Sequence, residues 1–381
     1  MQFELDPDQS TLQESLRRFF AREYDFEKRR VFLGTPHGTS AHIWQALAEQ
    51  GALSIGLPPE YGGFGGPTEV MLVMEEIGRA LVLEPYMSTV ALCGSLIAER
   101  GRPEQQAELF ERVAAGRCKL ALAHTEPDAR YALDFVETTA RLSGDSYVLN
   151  GAKATVLDGA VADLFLISAR LHAQGHVSVF LVDPNAAGLT CVRYRMQDGR
   201  TGADVKLVDV KVPRANLLGD ESDGMPAIEH AVERALAALC AEAVGAIEAL
   251  NHATLEYTKS RKQFGQPIAR FQALQHRMAD MFVFATQARS MALLATGRCA
   301  TPDAPLRRRD IAAAKAFIGN AARFVGQQAV QLHGGMGMAD ELAVSHYFKR
   351  LTMINATLGD TDHHVARISE AILAEGESSW A

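Results

Sequence analysis

The chain has 381 residues, 48% of them hydrophobic and 22% charged, with a formal net charge of −8. At roughly 100–200 residues per domain, that length predicts two or three domains with substantial cores, which excludes intrinsic disorder and a small disulfide scaffold as descriptions of the whole. The charges are interleaved without a basic stripe, so neither nucleic acid nor an anionic membrane is the expected main partner. The five cysteines, Cys93, Cys118, Cys191, Cys240 and Cys299, contain no C-x-x-C pair and read as reduced core residues. The N-terminus is acidic where a signal peptide needs base. No apolar run approaches the roughly 20 residues of a membrane helix. A soluble, cytoplasmic protein is expected.

Along the chain the texture changes twice. Residues 1–118 have helical periodicity: Leu12, Leu16, Phe19 and Phe20 share one face, and Ile43, Trp44 and Leu47 form a second face closed by Gly51. Helix is expected again through Met71–Ala80, through Val90–Arg100 and after Pro103. Residues 119–220 carry short strand-like runs at Tyr147–Asn150, Leu164–Ile167, Val177–Val182, Leu189–Val192 and Val205–Val212. Turn residues at Ser143-Gly-Asp, Asn150-Gly and Asp183-Pro-Asn separate them, which suggests an antiparallel barrel or sandwich. Residues 221–381 return to helix. Apolar residues from Met225 to Leu250 advance by threes and fours, and Leu274–Leu294, Ile311–Leu332 and Val365–Leu373 supply three more helices. Pro302 and Pro305 separate the second from the third, and four such helices suggest a bundle. Gly245, Gly319 and Gly326 permit close helix approach.

Taken singly, the motifs leave alternatives open. Gly334-Gly-Met-Gly337 after a helix suits either a phosphate cradle or a helix terminator. Arg261-Lys-Gln-Phe-Gly265 is a solvated helix end or a pyrophosphate site. Asp360-Thr-Asp-His-His364 lacks the spacing of a metal site, because adjacent residues do not share a helix face.

Their order says more. Glu60-Tyr-Gly-Gly-Phe-Gly65, Thr125-Glu-Pro127, Leu149-Asn-Gly-Ala-Lys153 and Val208-Asp-Val-Lys-Val-Pro-Arg-Ala-Asn-Leu-Leu-Gly219 are followed by Arg261-Lys-Gln-Phe-Gly-Gln-Pro-Ile268, Phe271-Gln-Ala-Leu-Gln275 and Gln331-Leu-His-Gly-Gly-Met-Gly337. This series, from about Trp44 to Ile372, resembles the acyl-CoA dehydrogenase family. The resemblance implies an α+β fold: an N-terminal α-helical domain, a middle antiparallel β-barrel and a C-terminal four-helix bundle. It also implies FAD as cofactor, an acyl-CoA thioester as substrate and an electron-transfer flavoprotein as electron acceptor. By that likeness Leu122, His124 and Thr125 run along the flavin edge, and Thr155, Val156 and Leu157 form a second flavin-contacting strand. Arg261, Phe264 and Gln272 reach the FAD of a neighbouring subunit, and Gln331, Gly334 and Gly335 receive its adenosine diphosphate part. One FAD then spans two chains, which implies an oligomer, a homo- or heterotetramer.

The match departs from the family pattern in places. Asp128-Ala-Arg-Tyr131 replaces a Gly-x-Gly-Ser stretch, Thr155 stands where an aromatic is usual, and His124 replaces an apolar residue. His124 is therefore either a flavin contact or a barrel histidine with its own partners. Most important is the base. The family reaction needs a carboxylate to take the α-proton of the thioester while the β-hydrogen leaves as hydride. The resemblance puts Leu358 at that carboxylate's usual position and Ala235 at the alternative one. Glu233, Asp360 and Asp362 are the nearby acids. Glu233 also reads as a surface helix charge, and Asp360 and Asp362 as caps of the last helix. Arg130, Arg193 and Arg195 are candidates to meet a distal carboxylate of the substrate.

The Gly-Asp-x-Asp-His-His ending resembles the small subunit of pimeloyl-CoA-type dehydrogenases, and suggests a heteromeric assembly in which a partner supplies the base. Three readings follow: an acyl-CoA dehydrogenase or a subunit of one, a flavin-binding or structural subunit without its own activity, or a family member with altered chemistry such as an oxidase or desulfinase.

Overall fold

The computed structural model describes residues 4–171 and 175–378. Met1–Phe3, where the acidic N-terminus begins, lie outside them. Helix α1 (Pro7–Glu23) opens with a capping box. The Asp6 carboxylate accepts from the Gln9 amide at 2.8 Å, and the Gln9 side chain accepts from the Asp6 amide at 3.1 Å. Its Leu16, Phe19 and Phe20 are buried as the periodicity predicts. Helix α2 (Phe26–Leu33) shows no apolar stripe because its buried residue is Arg29, whose guanidinium donates to the Leu81 carbonyl at 2.8 Å and meets His346 Nδ1 at 2.9 Å. Helix α3 (Ala41–Glu49) buries Ile43, Trp44 and Leu47, and Gly51 follows at φ +74°. After α4 (Pro67–Ala80), Met87–Gly94 form a buried π-helix that runs into α5 (Ser95–Arg100), where a plain helix was expected. Helix α6 (Pro103–Ala114) starts at its proline.

The middle stretch forms one curled seven-stranded sheet from β1 (Leu120–Ala123), β2 (Thr139–Ser143), β3 (Ser146–Leu157), β4 (Leu164–Leu171), β5 (Val177–Val182), β6 (Leu189–Arg195) and β7 (Thr201–Pro213). The order is β1-β4-β2-β3-β7-β6, with β5 also paired to β4. The pattern predicts an antiparallel sheet; most pairings are antiparallel, but β1 and β2 both run parallel to β4. Alternating burial does not encode strand direction, and long excursions separate β1 and β2 from β4. Phe165, Ile167, Phe180, Val205 and Leu207 fill the interior. Asn150-Gly151, read as a turn, lies inside β3 at a break in register. Glycine is required there because a Cβ would sit 2.4 Å from the Thr138 hydroxyl oxygen.

Beyond the sheet come α7 (Met225–Ser260), a tight hairpin of β8 (Lys262–Gln263) and β9 (Gln266–Pro267), α8 (Gln272–Arg298), α9 (Ala304–His333), α10 (Ala343–Ala356) and α11 (Thr361–Ser378). Asp303 caps α9, accepting from the Leu306 amide at 3.1 Å, with Pro305 in the first turn. Helix α10 is an addition to the four expected. Its inward residues Val344, Tyr347, Leu351 and Ile354 keep helical spacing, but Ser345, His346 and Arg350 are buried among them and mask the stripe.

The chain gathers into two compact units that do not follow chain order. One holds the chain up to Arg29, Pro67–Val82 and the chain from Leu236; the other holds Arg30–Gly66 and Leu83–Ala235. In the first unit, α4 and α7 meet at a reciprocal pair of glycines. A Cβ on Gly78 would lie 1.9 Å from the Glu242 carbonyl oxygen, and one on Gly245 would lie 1.8 Å from that of Glu75. Gly319 makes room for Asn355 and Thr361, and Gly326 for Phe348. The close approaches these glycines permit are thus used within the chain. Gly245→Ala should cost about 1–3 kcal/mol in urea unfolding, since α4 and α7 must separate. Gly335→Ala, where a Cβ would meet nothing within 4 Å, should cost less than about 1 kcal/mol.

Candidate functional site

In the sheet unit, the two segments expected at a flavin edge leave β1 and β3. Leu122 and His124 are buried, Thr125 is half-buried, Thr155 is exposed, and Val156 is buried beside half-buried Leu157. Thr155 adopts φ +53°, unusual for a β-branched residue, at a second break in the β3–β7 register. Its amide donates to the Asp204 carboxylate at 2.9 Å, which also accepts from the Tyr194 hydroxyl at 3.1 Å.

His124 is a barrel histidine with both ring nitrogens engaged. Nε2 lies 2.8 Å from the Leu133 carbonyl, which can only accept, so the proton sits on Nε2 and Nδ1 accepts from the Ser168 hydroxyl at 2.8 Å. Ser168 in turn accepts from the Lys153 ammonium at 3.0 Å. That ammonium also donates to the His124 carbonyl at 3.2 Å and to Glu126 at 2.7 Å. The Glu126 carboxylate accepts from the amides of Glu137 and Thr138. Burial, with Lys153 nearby, pulls His124 down to about 4. Burial also lowers Lys153 to about 8, against the pull of Glu126. The imidazole is therefore neutral and occupied; any contact of His124 with a ligand falls to its backbone. Ser168 lies in none of the motifs, and Glu126, although inside Thr125-Glu-Pro127, is given no role by them. The available signal was a lysine, Lys153, at an inward position of a strand, which demands a buried anion.

In the helical unit, the expected cofactor arm is open to its surroundings. Arg261, Gln272, Gln331, Gly334 and Gly335 are exposed, and Phe264 is 91% exposed at φ +52°. Among the described residues the Arg261 guanidinium makes no hydrogen bond or ion pair. A Cβ on Gly334 or Gly335 would meet nothing within 4 Å. An unpaired guanidinium, an exposed aromatic ring and open glycine backbone suit the pyrophosphate and adenosine of FAD.

The turn expected to bear a base is held by buried donors. Leu358 adopts φ +56°, and its carbonyl accepts from His364 Nε2 at 3.1 Å. The Lys315 ammonium, fully buried, donates to the carbonyls of Asn355 at 2.9 Å and Gly359 at 2.7 Å. Burial pulls Lys315 down to about 8, and burial with Lys315 nearby pulls His364 to about 3. Asp360 caps α11, its carboxylate accepting from the His363 amide at 2.9 Å, while Asp362 is an exposed first-turn residue. Glu233 is not a surface charge: it is 5% exposed, beside half-buried Arg234 on α7. Ala235 is fully buried. Among the candidate arginines, Arg195 is committed to the carbonyls of Leu33 and Thr35, while Arg130 and Arg193 are exposed.

Comparison with known proteins agrees with this architecture. Models of the N-terminal, middle and C-terminal domains of acyl-CoA dehydrogenases match residues 6–117, 121–211 and 222–373. The chain is 30% identical to the probable acyl-CoA dehydrogenase YngJ of Bacillus subtilis (strain 168), over 95% of this chain and 97% of that one. Its fold is similar to the Tcur3481-Tcur3483 steroid ACAD at 28% identity and TM-score 0.87, covering 97% of this chain and 99% of that one. It is also similar to the FAD complex of PigA, at 26% identity and TM-score 0.87, covering 98% and 99%. The chain belongs to the acyl-CoA dehydrogenase family, oxidoreductases that act on the CH–CH bond of acyl-CoA thioesters.

The neutral histidines make stability depend on acid. The folded pKa of His124 lies below its unfolded value, so the unfolded chain binds the extra proton as pH falls from about 6.5 to about 4. Stability should drop across that window. His124→Gln should flatten the slope by up to about 1.4 kcal/mol per pH unit, measured by urea unfolding at a series of pH values.

Proposed function

We propose that this chain is the flavin-carrying subunit of a FAD-dependent acyl-CoA dehydrogenase whose proton acceptor comes from a partner chain. The single observation behind this reading is the turn at Leu358. Its backbone is firmly held, but its side chain cannot accept a proton, and the neighbouring Asp360 is engaged as a helix cap.

Dehydrogenation between the α and β carbons requires a carboxylate poised at the α-carbon and donors at the thioester oxygen. Bound FAD would supply a hydride acceptor for the β-hydrogen. In this chain Leu122, His124, Thr125, Thr155, Val156 and Leu157 would flank the flavin ring. Arg261, Phe264, Gln272, Gln331, Gly334 and Gly335 would hold the diphosphate and adenosine of a neighbouring subunit's FAD. Arg261 would bring charge to the pyrophosphate, and Phe264 would offer an aromatic face to the bound cofactor. By the family likeness Leu358 would stand where the base is usual, and leucine has no group to accept the proton. The assembly we infer is a tetramer, heteromeric if a paralogue brings the carboxylate, passing electrons to an electron-transfer flavoprotein. The two-part name of the steroid ACAD, Tcur3481-Tcur3483, supports a two-component reading.

A second reading rests on the burial of Glu233. Among the described residues, this carboxylate, shielded from water beside Arg234, is the other candidate for a base.

Two outcomes are expected. Arg261→Ala should lose flavin from the purified protein, read as the ratio of flavin to protein absorbance. In anaerobic stopped flow with butyryl-CoA and octanoyl-CoA, the chain alone should reduce its flavin slowly, and Leu358→Glu should raise the rate by about a hundredfold or more. Fast reduction by the wild-type chain, lost in Glu233→Gln, would establish the second reading instead.

A further inference from the structure

The two strands expected to flank the flavin are not neighbours in the sheet. Strand β1 pairs with β4, and β3 pairs with β2 and β7. No ladder of backbone hydrogen bonds therefore sets the segment after β1 against the second half of β3. One backbone hydrogen bond joins them, from the Ala154 amide to the Thr125 carbonyl at 2.8 Å. A second link is the Lys153 side chain, fully buried, with its three protons on the His124 carbonyl, the Glu126 carboxylate and the Ser168 hydroxyl. Glu126 carries the link onward, because its carboxylate accepts from the amides of Glu137 and Thr138 at 2.8 and 3.0 Å. The turn between β1 and β2 is thereby tied to β3.

We propose that Lys153 is a positioning residue for flavin binding: its ammonium sets the spacing between the 122–125 segment and the 155–157 segment without touching the cofactor. This rests on the reading of the chain as a flavoprotein. Ammonium geometry is what makes the arrangement work. A protonated lysine donates three hydrogen bonds and a neutral amine only two, so deprotonation must release one of the three acceptors. The titratable groups facing it are Glu126 from the turn and His124 from the end of β1; Ser168 faces it from β4. His124 stays neutral above pH 6.5, and Glu126 stays ionised. Lys153, brought to about 8 by burial, is then the member of the cluster that changes charge in mildly alkaline solution.

A positioning role and a merely structural one predict opposite signs with pH. Because the folded pKa of Lys153 is lowered, the unfolded chain holds more protons between about pH 8 and 10.4, and its contribution to fold stability rises with pH. Flavin affinity should instead fall over that window, as one of the three bonds is given up.

The test is FAD titration of the deflavinated, assembled protein from pH 6 to 10, with the urea midpoint measured alongside. Wild type should bind FAD about tenfold or more weakly above pH 9 than at pH 7, with no fall in the midpoint. Lys153→Met should be weak throughout and pH-independent. Glu126→Gln removes the anion that raises Lys153, so it should move the affinity decline to lower pH. This variant decides the matter should Lys153→Met fail to fold. An affinity that is flat with pH in wild type and in Glu126→Gln would overturn the proposal, as would Lys153→Met binding FAD like wild type. Wild-type protein that takes up no FAD at any pH would instead overturn the flavoprotein reading, and the proposal with it.

Discussion

An ammonium removed from water must find an acceptor for each of its protons, and this chain uses that demand to hold backbone in place. Lys153 gathers the end of β1, the following turn and β4 around one nitrogen. Lys315 does the same in the helical unit, gripping the last turn of α10 through the Asn355 carbonyl and the next turn through Gly359. Both lysines are lowered to about 8 by burial, a cost the fold bears at neutral pH. Desolvating a cation is expensive, and it is retained where geometry is worth more than stability. In each unit the segment so held is one that the family pattern marks as functional.

The helical unit handles its carboxylates differently. Glu242 is clamped by Arg350 through two hydrogen bonds of 2.7 Å, and Glu76 meets Arg17 at 2.7 Å. Glu75 and Glu248 share Arg289, and burial raises Glu75 in spite of it. These acids cross-link α1, α4, α7, α8 and α10. A carboxylate locked to a guanidinium is a poor acceptor for a carbon-bound proton, because taking the proton would break the pair. Buried acid is thus plentiful among the described residues of the unit, while Asp360, next to the turn at Leu358, is engaged as a helix cap.

Much of this was legible in the sequence. The apolar spacing of Leu16, Phe19 and Phe20, or of Ile43, Trp44 and Leu47, marks buried helix faces because burial of carbon follows the 3.6-residue period. Where polar residues are buried the same logic fails: Arg29 hides α2, and Ser345, His346 and Arg350 hide α10. Asn150-Gly151 misleads for another reason, since glycine there answers to the Thr138 side chain rather than to a turn. Motif order exposed Leu358 where a carboxylate is usual. It could not show that Asp360 is a cap, that Glu233 is buried, or that both nitrogens of His124 are already bound. Those are facts of three-dimensional neighbourhood, which linear spacing does not carry.

The proposed function turns on the claim that no described residue of this chain accepts the α-proton, and proton exchange tests it without reference to flavin reduction. The purified chain would be incubated with butyryl-CoA in D2O, and deuterium at the α-carbon followed by NMR. Exchange no faster than in buffer for wild type, and well above it for Leu358→Glu, is the predicted result. Rapid exchange by wild type that disappears in Glu233→Gln would contradict the claim and place the base on α7.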